Sequence, residues 1–232
     1  MEYVGLDSTV LVTVFAKIWQ AFSGILVILL VAKNLSPSEQ GVYYTFASII
    51  GLQAFVELGL SVVIIQFLSH ESSKMQLSEN GIVSGREEAI QRVKSFFKLI
   101  FKWFGVAVLV IIILLIAVGF TFFENTLSDD TEIGWVLPWI LLVLSFSAYF
   151  FLNPFLSAFE GIGKVLDVAK LRLIQAILSS LFMIIAFENS FGLFAPAISY
   201  FTLFLLSFFW LITSWRKNFL SSLFKFTILP KN

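Results

Sequence analysis

The sequence predicts an all-α, polytopic membrane protein with six transmembrane helices, and its composition and apolar runs carry that prediction. Hydrophobic residues make up 59% of the 232 residues and charged residues only 13%, whereas a soluble domain is nearer half apolar and a quarter charged. The apolar residues also fall in runs long enough to cross a bilayer, which takes about 20 helical residues. These runs do not alternate as membrane strands of about 10 residues would, so helices are predicted.

Six apolar runs supply the predicted spans, and together they form one transmembrane lobe over residues 1–217. A cytoplasmic tail is predicted over residues 218–232. Pro154 lies near the inner end of the fourth span and should kink or end that helix, because proline lacks a backbone donor. The predicted spans are about 9–32, 42–66, 101–123, 135–158, 168–187 and 193–215.

The first two spans are predicted to form a helical hairpin, since residues 33–41 between them contain Pro37, Gly41 and small polar residues typical of a turn. Lys17 and Glu57 lie at equal distances along the chain on either side of Pro37. In an antiparallel hairpin these two charges would therefore sit at the same membrane depth. Lys17 is roughly 12 Å into its helix, where a lone charge costs about 2.5–3.5 kcal/mol.

Two glutamines extend this polar feature, because Gln20 follows Lys17 by one helical turn and Gln53 precedes Glu57 by one turn. Ionisable groups inside a membrane mark substrate or ion pathways. We therefore predict that these residues face a hydrated cavity and bind or translocate a substrate. The alternative is a buried pair that only fixes helix packing, although such pairs contribute little net stability. The four predicted site residues are Lys17, Gln20, Gln53 and Glu57.

Residues 87–104 are predicted to form an amphipathic helix at the cytoplasmic surface that continues into the third span. Apolar residues recur at helical spacing on one face, and basic residues form a stripe on another. This stripe is either an anchor on anionic lipid or a basic lip that attracts an anionic substrate. The stripe consists of Lys94, Lys98 and Lys102.

The orientation follows from the basic residues, which favour the cytoplasmic side. All of the 15 Lys and Arg residues except Lys17 and Lys33 fall in or beside the connections 67–100 and 159–167 or in the tail. The loops 124–134 and 188–192 are acidic or neutral. Both termini are therefore predicted to be cytoplasmic, in a multi-pass protein of the inner (plasma) membrane.

Several functional classes are disfavoured by the sequence. The chain has no Cys and a single His, His70, so thiolate ligands and a multi-histidine metal site are excluded. Its net charge is zero, so no overall field attracts nucleic acid. We expect no cofactor, no metal, no catalytic residue and no enzymatic activity.

Two stretches resemble a known family. Residues 33–43 (KNLSPSEQGVY) resemble the connection between the first two helices of polysaccharide exporters, and residues 57–66 (ELGLSVVIIQ) are similar to the end of their second helix. The family is that of the Wzx-type lipid-linked oligosaccharide flippases, within the multidrug/oligosaccharidyl-lipid/polysaccharide exporter superfamily. The resemblance is specific over residues 33–66 and loose elsewhere.

The resemblance implies two six-helix lobes around a central cavity. It further implies that undecaprenyl-pyrophosphate-linked oligosaccharide crosses the inner membrane for synthesis of surface polysaccharide such as the O-antigen of lipopolysaccharide. Family members carry basic residues in the cavity, including the first helix, where Lys17 is the matching position. Full-length members have about twice as many helices, so this chain resembles the N-terminal lobe alone. We expect a second six-helix lobe, either a missing C-terminal half or another copy of the chain.

Other functions stay open at this point. A multidrug-exporter-like transporter would share the fold, and a non-transporting membrane scaffold subunit would use the polar residues only for packing. A membrane glycosyltransferase or polymerase is the weakest alternative. Such enzymes need large loops with catalytic groups, whereas the predicted outer loops are short and contain neither Arg nor His.

Overall fold

The computed structural model describes residues 8–52, 59–77, 83–126, 133–213, 216 and 218–221. The protein is all-α apart from one small hairpin of strands, β1 (Met75–Leu77) and β2 (Val83–Gly85). The helices are α1 (Ser8–Asn34), α2 (Pro37–Gly51), α3 (Leu60–Ser72), α4 (Glu87–Thr126), α5 (Val136–Gly161), α6 (Val165–Glu188) and α7 (Ala195–Leu211), with a 3-10 turn at Gly192–Phe194.

Five helices of the described residues are long and apolar enough to cross a membrane, namely α1, α4, α5, α6 and the segment Gly192–Leu211 that contains α7. This confirms the prediction of a helical protein with several potential membrane spans. Pro196 lies in the first turn of α7, where a missing backbone donor costs nothing.

The turn between α1 and α2 is shorter than the predicted connection 33–41, since α2 already begins at Pro37. Ser36 caps this helix: its side chain accepts a hydrogen bond from the Glu39 backbone N–H, and the Glu39 carboxylate accepts one from the Ser36 N–H at 2.8 Å. This reciprocal capping box satisfies two donors that the helix start would otherwise leave without partners. The sequence Ser-Pro-Ser-Glu therefore starts a helix rather than extending a loop.

The predicted second span, 42–66, is not one uninterrupted helix. Gly59 has φ 77°, a left-handed backbone conformation that suits glycine and cannot continue a right-handed helix. The span is therefore represented by α2 and α3, and residues 53–58 between them lie outside the described residues.

The chain between α1 and α4 nevertheless passes from one end of the helix bundle to the other. Leu35 packs against Gly192, just beyond the end of α6, while Leu68 in α3 packs against Gly161, just before the start of α6. These two contacts lie at opposite ends of α6. The segment that contains α2 and α3 therefore covers the same distance as the long helices.

Helix α1 packs chiefly against α6 rather than against α2. The chain does turn back after α1 towards the other end of the bundle, as the predicted hairpin requires. The Trp19 indole N–H donates to the Ala176 carbonyl at 3.2 Å and the Ser180 hydroxyl at 3.1 Å. Lys33 and Glu188 form an exposed ion pair further along both helices. Because the two contacts occur in the same order in α1 and α6, these helices run parallel.

Helix α4 contains both the segment 87–104 and the predicted third span, since all 40 of its residues form one helix. Along segment 87–104, buried apolar residues recur at helical spacing: Val93, Phe97, Ile100 and Phe104. Further along, α4 approaches α5 so closely that a Cβ at Gly119 would overlap the Trp139 indole. That indole N–H donates to the Leu115 carbonyl of α4 at 3.2 Å.

Pro154 does not end the fourth span. It lies inside α5, which continues to Gly161. A proline inside a helix leaves a backbone carbonyl one turn earlier without its usual donor, and such positions are tolerated in membrane helices where neighbouring groups compensate.

A cluster around Glu71 joins α3 to α4 next to the β-hairpin. The Glu71 side chain is only 6% exposed, and its carboxylate lies 3.1 Å from Arg92 Nε, 3.4 Å from Lys74 Nζ and 3.2 Å from His70 Nδ1. Burial acts to raise the pKa of Glu71, but the hydrogen bond and charge of Arg92, with the charge of Lys74, outweigh it and lower this pKa. This cluster was not predicted; of its members, only His70 was singled out from the sequence.

Candidate functional site

A polar cavity of about 500 Å³ opens between α1, α5, α6 and α7. We call it the central cavity. Its polar lining comes from four helices that the sequence predicts to lie within the membrane, and water-sized polar space at that depth is typical of a pathway for polar substrates. The polar lining includes Lys17, Gln20, Ser23, Tyr149, Arg172, Gln175, Ser179, Ser180 and Ser199.

Helix α1 contributes Lys17 and Gln20 to this cavity. The Lys17 ammonium donates to the Gln20 side-chain oxygen at 3.4 Å, and both side chains are exposed in the isolated chain. Lys17 lies about 14 Å along α1 from Ser8, by helical rise. Trp19 on the same helix binds Ser180, a cavity residue of α6, so the orientation of α1 around the cavity is fixed by a direct hydrogen bond.

Helix α6 supplies the longest polar face, because Arg172, Gln175 and Ser179 recur at intervals of one helical turn. Gln175 is buried and donates to the Ser207 hydroxyl at 2.8 Å and the Leu203 carbonyl at 3.1 Å. These bonds attach α6 to α7. Gln175 is therefore held rigidly, while Arg172 one turn earlier is the charged group of this face.

A second cavity, of about 340 Å³, lies between α3, α5 and α6, and we call it the lateral cavity. Tyr149, Asn153, Ser157 and Glu160 line it from α5 at intervals of one helical turn, and Ser61 lines it from α3. Tyr149 and Arg172 line both cavities. Arg172 is thus the charged residue at the border between them.

Arg172 forms an ion pair across this border. Its Nε donates to Glu160 Oε1 at 3.2 Å, and the two side chains are 37% and 21% exposed. Partial burial strengthens such a pair relative to a fully exposed one, because the local dielectric is lower.

The central cavity is electropositive in the part of the chain that the structure describes. Its lining contains the cations Lys17 and Arg172 and no carboxylate among those residues. The lateral cavity contains Arg172 and Glu160 and is therefore neutral overall. Two cations in one cavity would stabilise an anionic group there.

The structure brings two of the four predicted site residues, Lys17 and Gln20, into this cavity. Gln53 and Glu57 lie outside the described residues, so their pairing with Lys17 stays a prediction. The predicted basic lip lies on one face of α4, but Lys94, Lys98 and Lys102 line neither polar cavity.

Arg172 and Glu160 were not predicted as site residues, since Arg172 was counted only as a basic residue at the start of the fifth span. The polar residues at one-turn spacing in α5 and α6 could have indicated them, as the same pattern did for Lys17 and Gln20. Among the described residues, no group of three or more His, Asp or Glu side chains is placed to hold a metal ion.

Comparisons with family models, with curated proteins and with solved structures found no match.

Proposed function

We propose that this chain is one lobe of a membrane transporter that moves an anionic lipid-linked oligosaccharide, such as an undecaprenyl-pyrophosphate-linked sugar unit, across the membrane. The observation that carries the proposal is the central cavity, which both Lys17 and Arg172 line. The resemblance of residues 33–66 to lipid-linked oligosaccharide flippases names the same substrate class.

Two cations of different type suit a pyrophosphate head group. The Lys17 ammonium is a compact charge with three donors, and the Arg172 guanidinium presents a planar fork that matches two phosphate oxygens. The neutral donors Gln20 and Ser179 line the same cavity and could bind sugar hydroxyls. Together these groups lower the cost of moving a charged head group through the apolar interior.

We further propose six membrane crossings with both termini in the cytoplasm of a bacterial cell. The parallel arrangement of α1 and α6 supports an odd number of crossings between them, and α4 and α5 provide only two. The segment with α2 and α3 supplies the third. The excess of Lys and Arg in the connections 67–100 and 159–167 supports the orientation.

A second lobe completes the proposal. Lys17 and Gln20 are exposed in this chain, and α1 also exposes large apolar side chains such as Ile18 and Phe22. Lipid can cover the apolar residues but cannot satisfy an ammonium group. We therefore propose that a second six-helix lobe, either another copy or a separate C-terminal half, covers the central cavity.

A membrane scaffold subunit is the second candidate, and the existing polar contacts favour it. Lys17 already bonds Gln20, and Arg172 already bonds Glu160. In a scaffold, these contacts would only fix packing, and neutral replacements of similar size would preserve function.

Export of surface polysaccharide by cells that depend on this protein distinguishes the two candidates. We expect Lys17→Ala to abolish export and Lys17→Arg to retain part of it, while Lys33→Ala, on the same helix but outside the cavity, leaves it unchanged. Glu57→Gln should reduce turnover more than protein level. Normal export by Lys17→Met, with normal membrane levels, would contradict the transporter and favour the scaffold.

A further inference from the structure

We infer that Glu160 is a competing anion built into the site: it holds Arg172 while the central cavity is empty, and the substrate's anionic head group displaces it. This inference rests on the proposed function and adds how the site releases its cargo. Glu160 would thus regulate ligand binding in the central cavity, although its side chain does not line that cavity.

The geometry of the pair leaves Arg172 able to change partners. The hydrogen bond joins one guanidinium nitrogen, Nε, to one carboxylate oxygen, Oε1, at 3.2 Å. A closed bidentate pair would use two parallel bonds, whereas here the two terminal nitrogens make no hydrogen bond within the described part of the chain. A phosphate group in the central cavity can therefore approach the guanidinium before the bond to Glu160 breaks.

The position of the pair gives the exchange a direction. Arg172 lines both cavities, whereas Glu160 lines only the lateral cavity. Movement of the guanidinium towards a ligand in the central cavity takes it away from Glu160, and its return to Glu160 takes it away from the ligand. The charged side chains lining the two cavities, among the described residues, are Lys17, Arg172 and Glu160.

The exchange has an energetic consequence for affinity. A ligand must replace an existing charge-assisted hydrogen bond, so part of its interaction with Arg172 is offset by the lost interaction with Glu160. Affinity is reduced and dissociation is faster than for two cations without a competitor. A carrier needs such weakening, because a head group held permanently by Lys17 and Arg172 would not leave the protein.

A double-mutant cycle on binding tests this inference. The probe is geranylgeranyl pyrophosphate added to the purified full chain in detergent, and the alcohol geranylgeraniol has the same chain without the charge. We expect Glu160→Gln to bind the pyrophosphate about five- to tenfold more tightly than the unaltered protein, as expected for removal of one charge-assisted competitor. In the Arg172→Gln background, the same change should have no effect.

The matched control is Glu188→Gln, which removes an ion-paired carboxylate at the end of α6 that is distant from Arg172. We expect this variant to bind the probe as the unaltered protein does. Gel filtration and thermal unfolding establish that each variant is folded. If Glu160→Gln does not yield a monodisperse protein, Glu160→Asp shortens the acid, weakens the same contact and should tighten binding by a smaller factor.

The outcomes separate this inference from the proposed function. Unchanged or weaker binding of the pyrophosphate by Glu160→Gln, while Lys17→Ala still weakens it, would overturn the role of Glu160 alone. If Glu160→Gln raised the affinity for the pyrophosphate equally in the unaltered protein and in the Arg172→Gln variant, the role of Glu160 would be overturned as well. Failure of the unaltered protein to prefer the pyrophosphate over the alcohol would overturn both.

Discussion

The contact between α3 and α5 at Gly161 allows a quantitative test of the fold, because α3 forms one wall of the lateral cavity. A Cβ at Gly161 would lie 2.8 Å from Leu68 Cβ and 2.9 Å from the Ile65 carbonyl oxygen. Both neighbours belong to or adjoin the backbone of α3, and Leu68 is fully buried. The two helices must therefore separate if Gly161 becomes alanine.

The expected loss follows from this overlap. Overpacking a well-packed contact costs about 1–3 kcal/mol, and the better helix propensity of alanine returns up to about 1 kcal/mol. A net loss of roughly 1–2 kcal/mol corresponds to a fall of roughly 2–8 °C in Tm for a chain of this size. Gly105→Ala in α4 is the matched control, since no atom lies within 4 Å of its added Cβ; its Tm should rise.

Thermal unfolding of the purified variants in detergent, followed by loss of the monodisperse gel-filtration peak, measures both effects. The same glycine-to-alanine change should lower Tm at Gly161 and raise it at Gly105. A Tm for Gly161→Ala at or above that of the unaltered protein, with Gly105→Ala raised, would refute the close approach of α3 and α5.

Two further predictions concern the acid cluster and the topology. Because Arg92 and Lys74 lower the pKa of Glu71, the stabilising contribution of Glu71 is present above the ordinary carboxyl pKa of 4.5 and is lost as pH falls below that value. Thermal unfolding of the unaltered protein at falling pH should show this loss of stability. A Glu71→Gln variant with the same acid sensitivity would contradict it. The chain has no Cys, so a single cysteine introduced at Ser73 or at Asn125 reports the orientation of the protein. An impermeant thiol reagent applied to intact cells should label Asn125→Cys and not Ser73→Cys. The reverse labelling pattern would overturn the proposed orientation.

The long helices could be predicted from the sequence because a bilayer imposes one length and one composition on every span. The continuous helix from the amphipathic segment 87–104 into the third span follows from unbroken helical periodicity. The interruption at Gly59 could not be predicted in this way, since glycine is tolerated in membrane helices and its left-handed conformation depends on the surrounding packing.

The partners of the helices were the least predictable feature. Connection length favoured packing of the first two spans, but the indole of Trp19 and the small residues of α6 place α1 along α6 instead. The same long-range packing places Arg172 and Lys17 in the lining of one cavity. Arg172 was predicted only as a basic residue at the start of the fifth span, whereas about 10 Å along α6 it lines the cavity.

Two ligands with the same hydrocarbon chain test most directly whether the central cavity selects an anionic lipid-linked head group. Equilibrium binding of geranylgeranyl pyrophosphate and geranylgeraniol to the purified protein isolates the contribution of the head group. We predict at least about tenfold tighter binding of the pyrophosphate, equivalent to about 1.4 kcal/mol, with most of this preference lost in Lys17→Ala and retained in Lys33→Ala. Equal affinity for the two ligands, or an unchanged preference in Lys17→Ala, would contradict the account.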